Sequence, residues 1–492
     1  MLRFLLDANV LIPLEPTSPT GLERDTALAV QVVQRAAQLG FHLLVHPATI
    51  QELATDRDPA RRITRQVLLA KYQELTQPPG IERVEGVLGV VERQSNDWTD
   101  HLLLAALVAD AVHYLVTNDD GMHRKARRLG VSPDRVLTIA DALALLGTLA
   151  SSPQRPPPQV AVRALHSLRG DDPIFESLRS DYPRFDQWLT KVSREGREAW
   201  VIESPGGRCA GICIWKSDDD EFRFGGKVMK LSTFKVAEEH RGRRYGELLL
   251  KTVFTELRAN RYDHVWLTVF ERHTALITML EDFGFERHDI ETPLGELVMV
   301  KHLVPTGGET TDHFAYHCRF GPPAVDLTLD ASVYVIPIQP RYHTRLFPDH
   351  PDEPARLLPD DDPFGNALRK AYLSQSAITP LARGDTILFY RSDDWQAVSA
   401  VGVVEDSMRS DDPSEIAAFA GQRTVYSYTE IAEMTRPSAL AILFRQDRLI
   451  ERGWPLDDLL AADVLNAAPQ SITQVRSEDG IAWLTRRLAA SS

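Results

Sequence analysis

The chain has 492 residues, of which 43% are hydrophobic and 25% charged, and its formal net charge is −14. These values predict several soluble globular domains and exclude a fibrous or largely disordered protein. No apolar run is long enough to span a bilayer, so we expect no membrane partner. The acidic balance also excludes nucleic-acid binding through bulk charge, so any such site would need a local basic patch.

The cysteines and the N-terminus favour a cytoplasmic protein. The three cysteines, Cys209, Cys213 and Cys318, show neither a disulfide framework nor the spacing of zinc ligands. The first six residues are mostly apolar, but Asp7 ends the run and no small-residue cleavage site follows. This segment therefore predicts a first strand and not a signal peptide.

Two polar segments rich in proline, glycine, serine or threonine divide the chain into three predicted domains. Strand-like and helix-like runs alternate over residues 1–150, and a proline-rich linker covers 151–159. A second domain is expected over 160–304, a second linker over 305–324, and a third domain over 325–492. Alternating runs are typical of a parallel sheet covered by helices, so the predicted fold class is α/β and multi-domain.

Four acidic residues stand where predicted strands end or predicted helices begin in the first domain. They are Asp7, Glu52, Asp100 and Asp119. The carboxyl ends of parallel strands meet at one edge of the sheet, so we expect these side chains to converge there. Converging carboxylates repel one another unless a cation separates them, and Mg²⁺ or Mn²⁺ suits oxygen ligands. The alternative for each acid taken singly is a helix cap or a turn.

Two motifs in this domain resemble those of PIN-domain nucleases. They lie at residues 6–10 (LDANV) and 117–119 (TND). The resemblance implies a PIN-like parallel α/β sandwich and a metal-dependent ribonuclease, of the kind found among toxins and RNA-processing enzymes. It makes the four acids the metal ligands, supported by Asn9 and Thr117. Asp97 and Asp120 are alternative ligands beside two of them.

A turn rich in glycine and arginine separates a predicted strand from a predicted helix in the second domain. The turn covers residues 241–246 (RGRRYG), and the helix contains 247–254. A helix that begins after such a turn directs backbone N–H groups at an anion. The segment resembles the pyrophosphate loop of GNAT acetyltransferases, whose fold is a mixed α+β sheet. That resemblance implies acetyl-CoA as the cofactor, bound by Val236, Arg241, Gly242, Arg243, Arg244, Tyr245 and Gly246.

Two positions depart from the GNAT pattern. Arg244 stands where a glycine is expected, so it either obstructs a phosphate or adds a positive charge to it. Leu280 stands where many family members carry the tyrosine that protonates the leaving thiolate. Glu203 and Glu271 are alternative bases, and His273 is an alternative proton carrier. The sequence therefore favours acetyl-CoA binding over acetyl transfer.

Short strands of the third domain resemble the PUA-like fold of ASCH and EVE domains, a small β-barrel with helices. The resemblance implies a module that binds RNA or a modified base. Aromatic and arginine faces can stack on an unpaired base. The candidate residues are Tyr342, His343, Tyr390, Arg391 and Trp395. The alternative is that the aromatic rings only fill the core of the barrel.

Together these features predict an RNA-directed enzyme connected with a toxin or a stress response. The first domain would be a ribonuclease and the second an acetyl-CoA-dependent N-acetyltransferase. The predicted partners are RNA (tRNA among the candidates), acetyl-CoA, and an antitoxin or a second copy of the chain. Two alternatives remain open. One is an acetyl-CoA-sensing RNA-binding regulator with an inactive GNAT domain, and the other is a plain N-acetyltransferase with flanking protein-interaction domains.

Overall fold

Contacts within the chain divide it into two compact units. Unit 1 consists of Met1–Ser152 and Ser410–Ala439, and unit 2 consists of Pro153–Arg409 and Leu440–Ser492. The computed structural model describes residues 2–15, 23, 25–55, 58–93, 95–150, 159–204, 207–290, 292–305, 312–353, 367–378 and 380–490. Most of the linker predicted at 151–159 and part of that predicted at 305–324 lie outside these residues. None of the described helices is both long and apolar enough to cross a bilayer.

Strands and helices alternate in the N-terminal segment, which forms most of unit 1. The elements are β1 (Arg3–Leu6), α1 (Ala8–Leu14), α2 (Thr26–Gln38), β2 (His42–Val45), α3 (Pro47–Leu53), α4 (Pro59–Leu69), β3 (Gln73–Glu74), α5 (Glu82–Leu88), α6 (Asn96–Val108), β4 (Tyr114–Val116), α7 (Asp120–Arg128), β5 (Val136–Leu137) and α8 (Ile139–Ala150). The strands form a parallel sheet in the order β3-β2-β1-β4-β5. The parallel sheet predicted for this segment is confirmed.

The central strand of this sheet explains the unbroken apolar run at the N-terminus. Phe4 and Leu5 point to opposite faces of β1, and each has 0% of its surface exposed. A strand buried on both faces needs apolar residues at every position. Leu6 and Asp7 follow at its carboxyl end, where the chain turns directly into α1.

The middle segment belongs to unit 2. Its elements are β6 (Val160–Ala164), α9 (Glu176–Asp181), α10 (Phe185–Arg194), β7 (Glu198–Glu203), β8 (Cys209–Ser217), β9 (Val228–Val236), α11 (Tyr245–Ala259), β10 (His264–Val269), α12 (Thr274–Asp282), β11 (Glu286–His288) and β12 (Leu297–His302). They form a seven-stranded sheet in the order β11-β12-β10-β9-β8-β7-β6. Of these neighbours, only β9 and β10 run parallel, while the others are antiparallel.

The parallel pair β9 and β10 separates towards its carboxyl ends. The two strands are paired from Val228 with His264 to Lys230 with Trp266. Beyond that point β9 continues to Val236 beside β8, and β10 continues to Val269 beside β12. In the described part of the sheet the two strands are therefore not paired with each other beyond this point, and we call the space between them the β9/β10 gap. The helix α11 begins shortly after β9 ends.

The C-terminal segment contributes elements to both units. They are α13 (His313–Phe320), β13 (Val333–Ile338), α14 (Pro340–Leu346), β14 (Arg369–Ser374), β15 (Thr386–Arg391), β16 (Ala397–Ser410), α15 (Pro413–Ala420), α16 (Tyr428–Met434), β17 (Ala439–Pro455), α17 (Leu456–Ala461), β18 (Thr473–Val475) and α18 (Glu478–Ala490). The strands form a mixed sheet in the order β14-β17-β16-β15-β13-β18. No recorded pairing joins β14 to β18 in the described residues, so the closed barrel stays a prediction.

Two helices of the C-terminal segment, α15 and α16, pack within unit 1. The Tyr114 hydroxyl of β4 donates to the Ala417 carbonyl at 3.2 Å, across 303 sequence positions. Arg423, 2% exposed, donates through Nε to the Asp134 carboxylate at 2.8 Å. The sequence-based prediction places residues 325–492 in a single domain. It does so because contacts between residues this far apart in the chain leave no local pattern in the sequence. Beyond this observation, the predicted domain boundaries stay predictions.

Candidate functional site

The segment between β9 and α11 presents the N-terminus of a 15-residue helix. Gly242 has a φ of 75° and Arg244, the residue that precedes the helix, a φ of 56°. No side-chain hydrogen bond from the described residues caps this helix. The N–H groups of a first helical turn have no acceptor within the helix, and the helix dipole makes that end positive. The loop is therefore a site suited to an anion.

Arg244 does not direct its charge at this anion site. Its guanidinium binds the carboxylate of Glu247, and only 4% of the Arg244 side chain is exposed. Arg369 binds the same Glu247 oxygen from β14, through Nη2 at 2.6 Å and Nε at 2.9 Å. Burial would raise the pKa of Glu247, but the two guanidinium groups hold it below its ordinary value. The charge of Arg244 is thus compensated inside the protein and is not available to a phosphate.

The other predicted loop residues divide into an inward and an outward set. The Tyr245 ring is buried and stacks on His240 with a centroid distance of 5.6 Å. At Gly246, a Cβ atom would lie 2.8 Å from the Met279 sulfur, so glycine allows α11 to approach α12 closely. Arg243 is half-buried, whereas the side chain of Arg241 is 60% exposed. Arg241, whose Nη2 lies 3.8 Å from Glu238 Oε1, and Arg243 add two further positive charges to this loop.

Leu280 and the alternative acid–base residues lie in different surroundings, and their catalytic roles stay predictions. Leu280 is fully buried in the apolar core beneath α12. Glu203 forms an exposed ion pair with Arg163 at 2.7 Å on β7, two strands away from β9. His273 hydrogen-bonds Asp181 at 3.0 Å, and Glu271 is exposed on the turn after β10.

A cluster that the sequence did not reveal lies near the end of β10. The Tyr182 hydroxyl donates to Glu296 Oε1 at 2.5 Å, and the Thr268 hydroxyl donates to the same atom at 2.8 Å. Burial raises the pKa of Tyr182, and its hydrogen bond to Glu296 adds to the shift. These partners are 114 and 28 positions apart in the chain, so no motif or periodicity could have identified them.

In unit 1 the structure brings together the four acids singled out in the sequence. Asp7 caps α1 through the Ala8 N–H at 2.6 Å and accepts from Asn9 and Thr117, each at 2.7 Å. Burial raises its pKa, and Asp100 and Asp119 raise it further. Burial also raises the pKa of Glu52, with additional repulsion from Asp7 and Asp100. Capping and electrostatic coupling therefore coexist at Asp7.

A lysine supplies positive charge to this acidic cluster. Lys125 Nζ lies 2.6 Å from Asp100 Oδ2 and 2.5 Å from Asp97 Oδ1. Burial raises the pKa of Asp100, and the hydrogen bond from Lys125 opposes that rise. In the described part of the chain, no group of three or more His, Cys, Asp or Glu residues is arranged to hold a metal ion. The carboxylates suit a hard divalent cation chemically, but their spacing does not form a ligand sphere.

The helix starts near the cluster differ in part from the sequence-based expectations. Helix α6 begins at Asn96 and is capped by Ser95, so Asp100 lies a turn inside it. Asp119 does cap α7, through the Gly121 N–H at 2.6 Å. Thr117 joins the two strand ends, because its hydroxyl donates to Asp7 and accepts from the Asp119 N–H at 3.1 Å.

The residues proposed to stack on a base are mostly committed to internal contacts. His343 is 0% and Tyr390 2% exposed, so neither ring can stack on a base in this conformation, and the core-filling alternative applies to them. Arg391 binds Asp394 at 2.6 Å and lies 4.0 Å above the Trp395 ring. Tyr342 and Trp395 are partly exposed, and base stacking by these two stays a prediction.

Comparison with known proteins identifies one part of the chain. Residues 162–285 match the Acetyltransferase (GNAT) family model, so unit 2 contains a GNAT acetyltransferase domain. This class accords with the seven-stranded sheet and the loop before α11. No curated protein matches the chain.

Several solved structures are similar to parts of the chain. ASCH from Zymomonas mobilis is 17% identical, with a TM-score of 0.24, over 32% of this chain and 94% of its own. A putative acyl-CoA N-acyltransferase from Klebsiella pneumoniae is 17% identical, with a TM-score of 0.23, over 30% of this chain and 98% of its own. A GNAT-family acetyltransferase from Staphylococcus aureus is 12% identical, with a TM-score of 0.23, over 30% and 99%.

Proposed function

We propose that unit 2 is an acetyl-CoA-dependent N-acyltransferase. The observation that carries the proposal is the position of the α11 N-terminus beside the β9/β10 gap, within the segment that matches the GNAT family. The first-turn N–H groups of α11 suit the pyrophosphate of coenzyme A, and Arg241 and Arg243 add positive charge next to them. The loop before α11 and the β9/β10 gap both adjoin β9, so one elongated ligand can occupy them together.

The gap itself suits the pantetheine arm of the cofactor. Beyond Lys230, β9 has no strand paired on its β10 side in the described sheet. Such a strand edge offers backbone N–H and C=O groups that an extended, amide-bearing arm can pair with as an added strand. The thioester would then lie near the carboxyl ends of β9 and β10. Bound acetyl-CoA supplies the activated acyl group, and the protein's part is to hold it against a nucleophile.

Calorimetric titration of acetyl-CoA into the full chain tests the cofactor proposal. We expect wild-type protein to bind, and Arg241→Ala/Arg243→Ala to bind roughly tenfold or more weakly, since charge-assisted hydrogen bonds contribute about 1.5–3 kcal/mol. Arg194→Ala, which removes an exposed arginine from α10, is the matched control and should bind like wild type. The proposal fails if wild type shows no binding, or if the double variant binds as tightly as wild type.

A second function, a PIN-type metal-dependent nuclease, is proposed for unit 1. One observation favours it: burial and repulsion from neighbouring acids raise the pKa values of Asp7, Glu52 and Asp100 together, and shifts of this kind cluster at functional sites. Mg²⁺ or Mn²⁺ would need to displace Lys125 from Asp100 before these acids and Asp119 could hold it. A bound ion of this class activates water and neutralises charge at a phosphodiester.

The nuclease proposal is tested with a mixed RNA pool and Mn²⁺ or Mg²⁺. We expect cleavage by wild type that requires the metal and disappears in Asp7→Asn/Asp100→Asn. Asp110→Asn, which alters an exposed acid in the same unit, should cut like wild type. Metal-independent cleavage, or equal cleavage by the double variant, contradicts the proposal. RNA recognition by residues 325–492 and an antitoxin partner stay predictions.

A further inference from the structure

Two histidines face each other across the neighbouring strands β10 and β12. His264 is the first residue of β10 and His302 the last of β12, and the antiparallel register places them directly opposite each other. Their Nδ1 atoms lie 2.9 Å apart and their ring centroids 4.9 Å apart. Opposed residues of an antiparallel pair have Cβ atoms about 4.5–5.5 Å apart, so the backbone itself brings the two rings together. We call these residues the His264/His302 pair.

The folded protein keeps both imidazole rings neutral near pH 7. Burial lowers the pKa of His264 below its ordinary value of 6.5, and the Asp263 and Asp220 carboxylates only partly oppose that change. Burial also lowers the pKa of His302, and the nearby His264 lowers it further. A metal ion binds an unprotonated nitrogen of a neutral imidazole, so folding prepares this pair as ligands.

The separation of the two Nδ1 atoms allows either a shared proton or a shared metal ion. In the neutral pair one Nδ1–H donates to the lone pair of the other Nδ1. Bonds from a metal ion to imidazole nitrogen are about 2.0–2.1 Å long, so two such nitrogens at right angles around one ion lie about 2.9 Å apart. Around a tetrahedral ion they lie about 3.3–3.4 Å apart. The observed 2.9 Å therefore fits neighbouring positions of a square or octahedral ion.

The surroundings of the pair also favour a cation. Both rings are partly exposed, so a hydrated ion can reach them. Asp263 and Asp220 act on one ring and Glu286 of β11 acts on the other, each by favouring its positively charged form. Arg319, which lies 3.0 Å from Glu286, partly offsets this negative charge. Over the described part of the chain no third His, Cys, Asp or Glu completes a ligand group, so water would occupy the remaining coordination positions.

We propose that the His264/His302 pair is a chelating site for a divalent transition-metal ion of the Cu²⁺ or Ni²⁺ type, with both Nδ1 atoms as ligands. Imidazole nitrogen and right-angled coordination are typical of these two ions. The proton that one Nδ1 carries moves to Nε2 of the same ring, so both ligands stay neutral and no net proton is released. The bound ion would join the start of β10 to the end of β12.

This site is separate from both functions proposed above. His264 is paired with Val228 of β9, whereas the β9/β10 gap begins beyond Trp266, so the histidines lie at the other end of β10. Its nitrogen ligands also select a different class of ion from the hard cations that suit the carboxylates of unit 1. Loss of the pair should therefore leave acetyl-CoA binding unchanged.

Nickel titration of the full chain, followed by calorimetry, tests the proposal. The variants are His264→Asn and His302→Asn, and His166→Asn, which alters an exposed histidine on the turn after β6, is the matched control. Millimolar Mg²⁺ in the buffer occupies sites made of oxygen ligands. Thermal unfolding without nickel shows whether each variant is folded, and an acetyl-CoA titration accompanies each preparation.

We expect wild type to bind Ni²⁺ at one site that each variant loses or binds at least roughly tenfold more weakly. Even removal of an outer partner of a metal ligand typically costs about 10–100-fold in affinity. His166→Asn should bind Ni²⁺ like wild type, and the acetyl-CoA Kd should stay within about twofold in all proteins. Ni²⁺ should raise the melting temperature of wild type and of His166→Asn more than that of either variant.

Electron paramagnetic resonance of one equivalent of Cu²⁺ gives a second readout that does not depend on a variant. The spectrum of wild type should show two imidazole nitrogens bound to one copper ion, and each single variant should show one.

Two results overturn the inference. One is Ni²⁺ binding with the same stoichiometry and Kd in wild type and both variants, which places the metal elsewhere. The other is a wild-type Cu²⁺ spectrum with one imidazole nitrogen or none, which excludes chelation by the pair even if a variant fails to fold. Neither result bears on the acyltransferase proposal, which the acetyl-CoA titration tests by itself.

Discussion

Glu247 and Arg369, 122 positions apart in the sequence, form a buried ion pair that joins α11 to β14. Arg369 Nη2 lies 2.6 Å from Glu247 Oε1, and 3% and 10% of the two side chains are exposed. The Arg369 backbone N–H also donates to Glu247 Oε2 at 3.2 Å. Because Arg244 binds the same carboxylate, the start of the helix that faces the cofactor loop is fixed by a residue of the C-terminal sheet.

The first prediction concerns the stability of this pair. Arg369→Met should lower the free energy of unfolding by about 3 kcal/mol, because it leaves a buried carboxylate with one partner fewer. Denaturant unfolding at pH 7 measures the change. Glu195→Gln breaks an exposed ion pair with Arg197 and should change stability by less than about 1 kcal/mol. A similarly small effect of Arg369→Met would show that the pair does not stabilise the fold.

The same pair predicts a dependence of stability on pH. The pKa of Glu247 is lower in the folded protein than its ordinary value of 4.5. Its contribution is therefore complete above that value and is lost as the pH falls through the folded-state pKa. Wild type should lose stability in acid relative to Glu247→Gln, which lacks this titration. Parallel unfolding curves for the two proteins across acidic pH would contradict this account.

Arg244→Gly separates the two roles considered for this residue. Glycine relieves the left-handed backbone at φ 56°, but it removes one guanidinium from buried Glu247. We expect a net loss of stability of about 1–3 kcal/mol, and an acetyl-CoA Kd within about twofold of wild type. Calorimetry and denaturant unfolding on the same preparation check both values. A large rise in Kd would mean that Arg244 contacts the phosphates after all.

Leu280→Tyr restores the residue that the family pattern expects, but it should not restore a general acid. Leu280 is fully buried, so the larger side chain would overpack the core at a cost of about 1–3 kcal/mol. The acetyl-transfer rate should stay the same or fall. A clear increase in rate, without loss of stability, would show that position 280 reaches the thioester.

The acidic cluster of unit 1 should destabilise it near neutral pH. The pKa of Glu52 is raised in the folded state by burial, Asp7 and Asp100. A raised pKa stabilises the fold at low pH and is unfavourable once the pH rises through it. Glu52→Gln should therefore increase stability at pH 7 by up to about 1 kcal/mol and lose that advantage near pH 4. Millimolar Mn²⁺ should raise the melting temperature of wild type more than that of the variant, and thermal unfolding with and without the ion measures this difference.

Local features of the chain were predictable from the sequence, and long-range pairs were not. The apolar residues before Asp7 and the glycine–arginine turn at 241–246 leave local patterns, and they indicated the parallel sheet and the loop before α11. The bond from Tyr182 to Glu296 spans 114 positions, and that from Tyr114 to Ala417 spans 303. Such contacts depend on tertiary packing, which residue type and periodicity do not encode.

The inward orientation of Arg244 was likewise not predictable from the sequence, because it depends on tertiary packing. Its residue type alone suggested either a clash with phosphate or an additional phosphate contact. The outcome depends on Glu247 one turn later and on Arg369, which belongs to a different sheet. Only the folded structure shows that the guanidinium group of Arg244 is already paired with the Glu247 carboxylate.

The most direct test of the acyltransferase account is mass spectrometry of both products from the full chain, acetyl-CoA and spermidine. The account predicts that coenzyme A and N-acetylspermidine appear in equal amounts, at a rate proportional to protein concentration and strongly reduced in Arg241→Ala/Arg243→Ala at acetyl-CoA concentrations below the wild-type Kd. Acetyl-CoA that stays intact, or coenzyme A released without any acetylated amine, would contradict it.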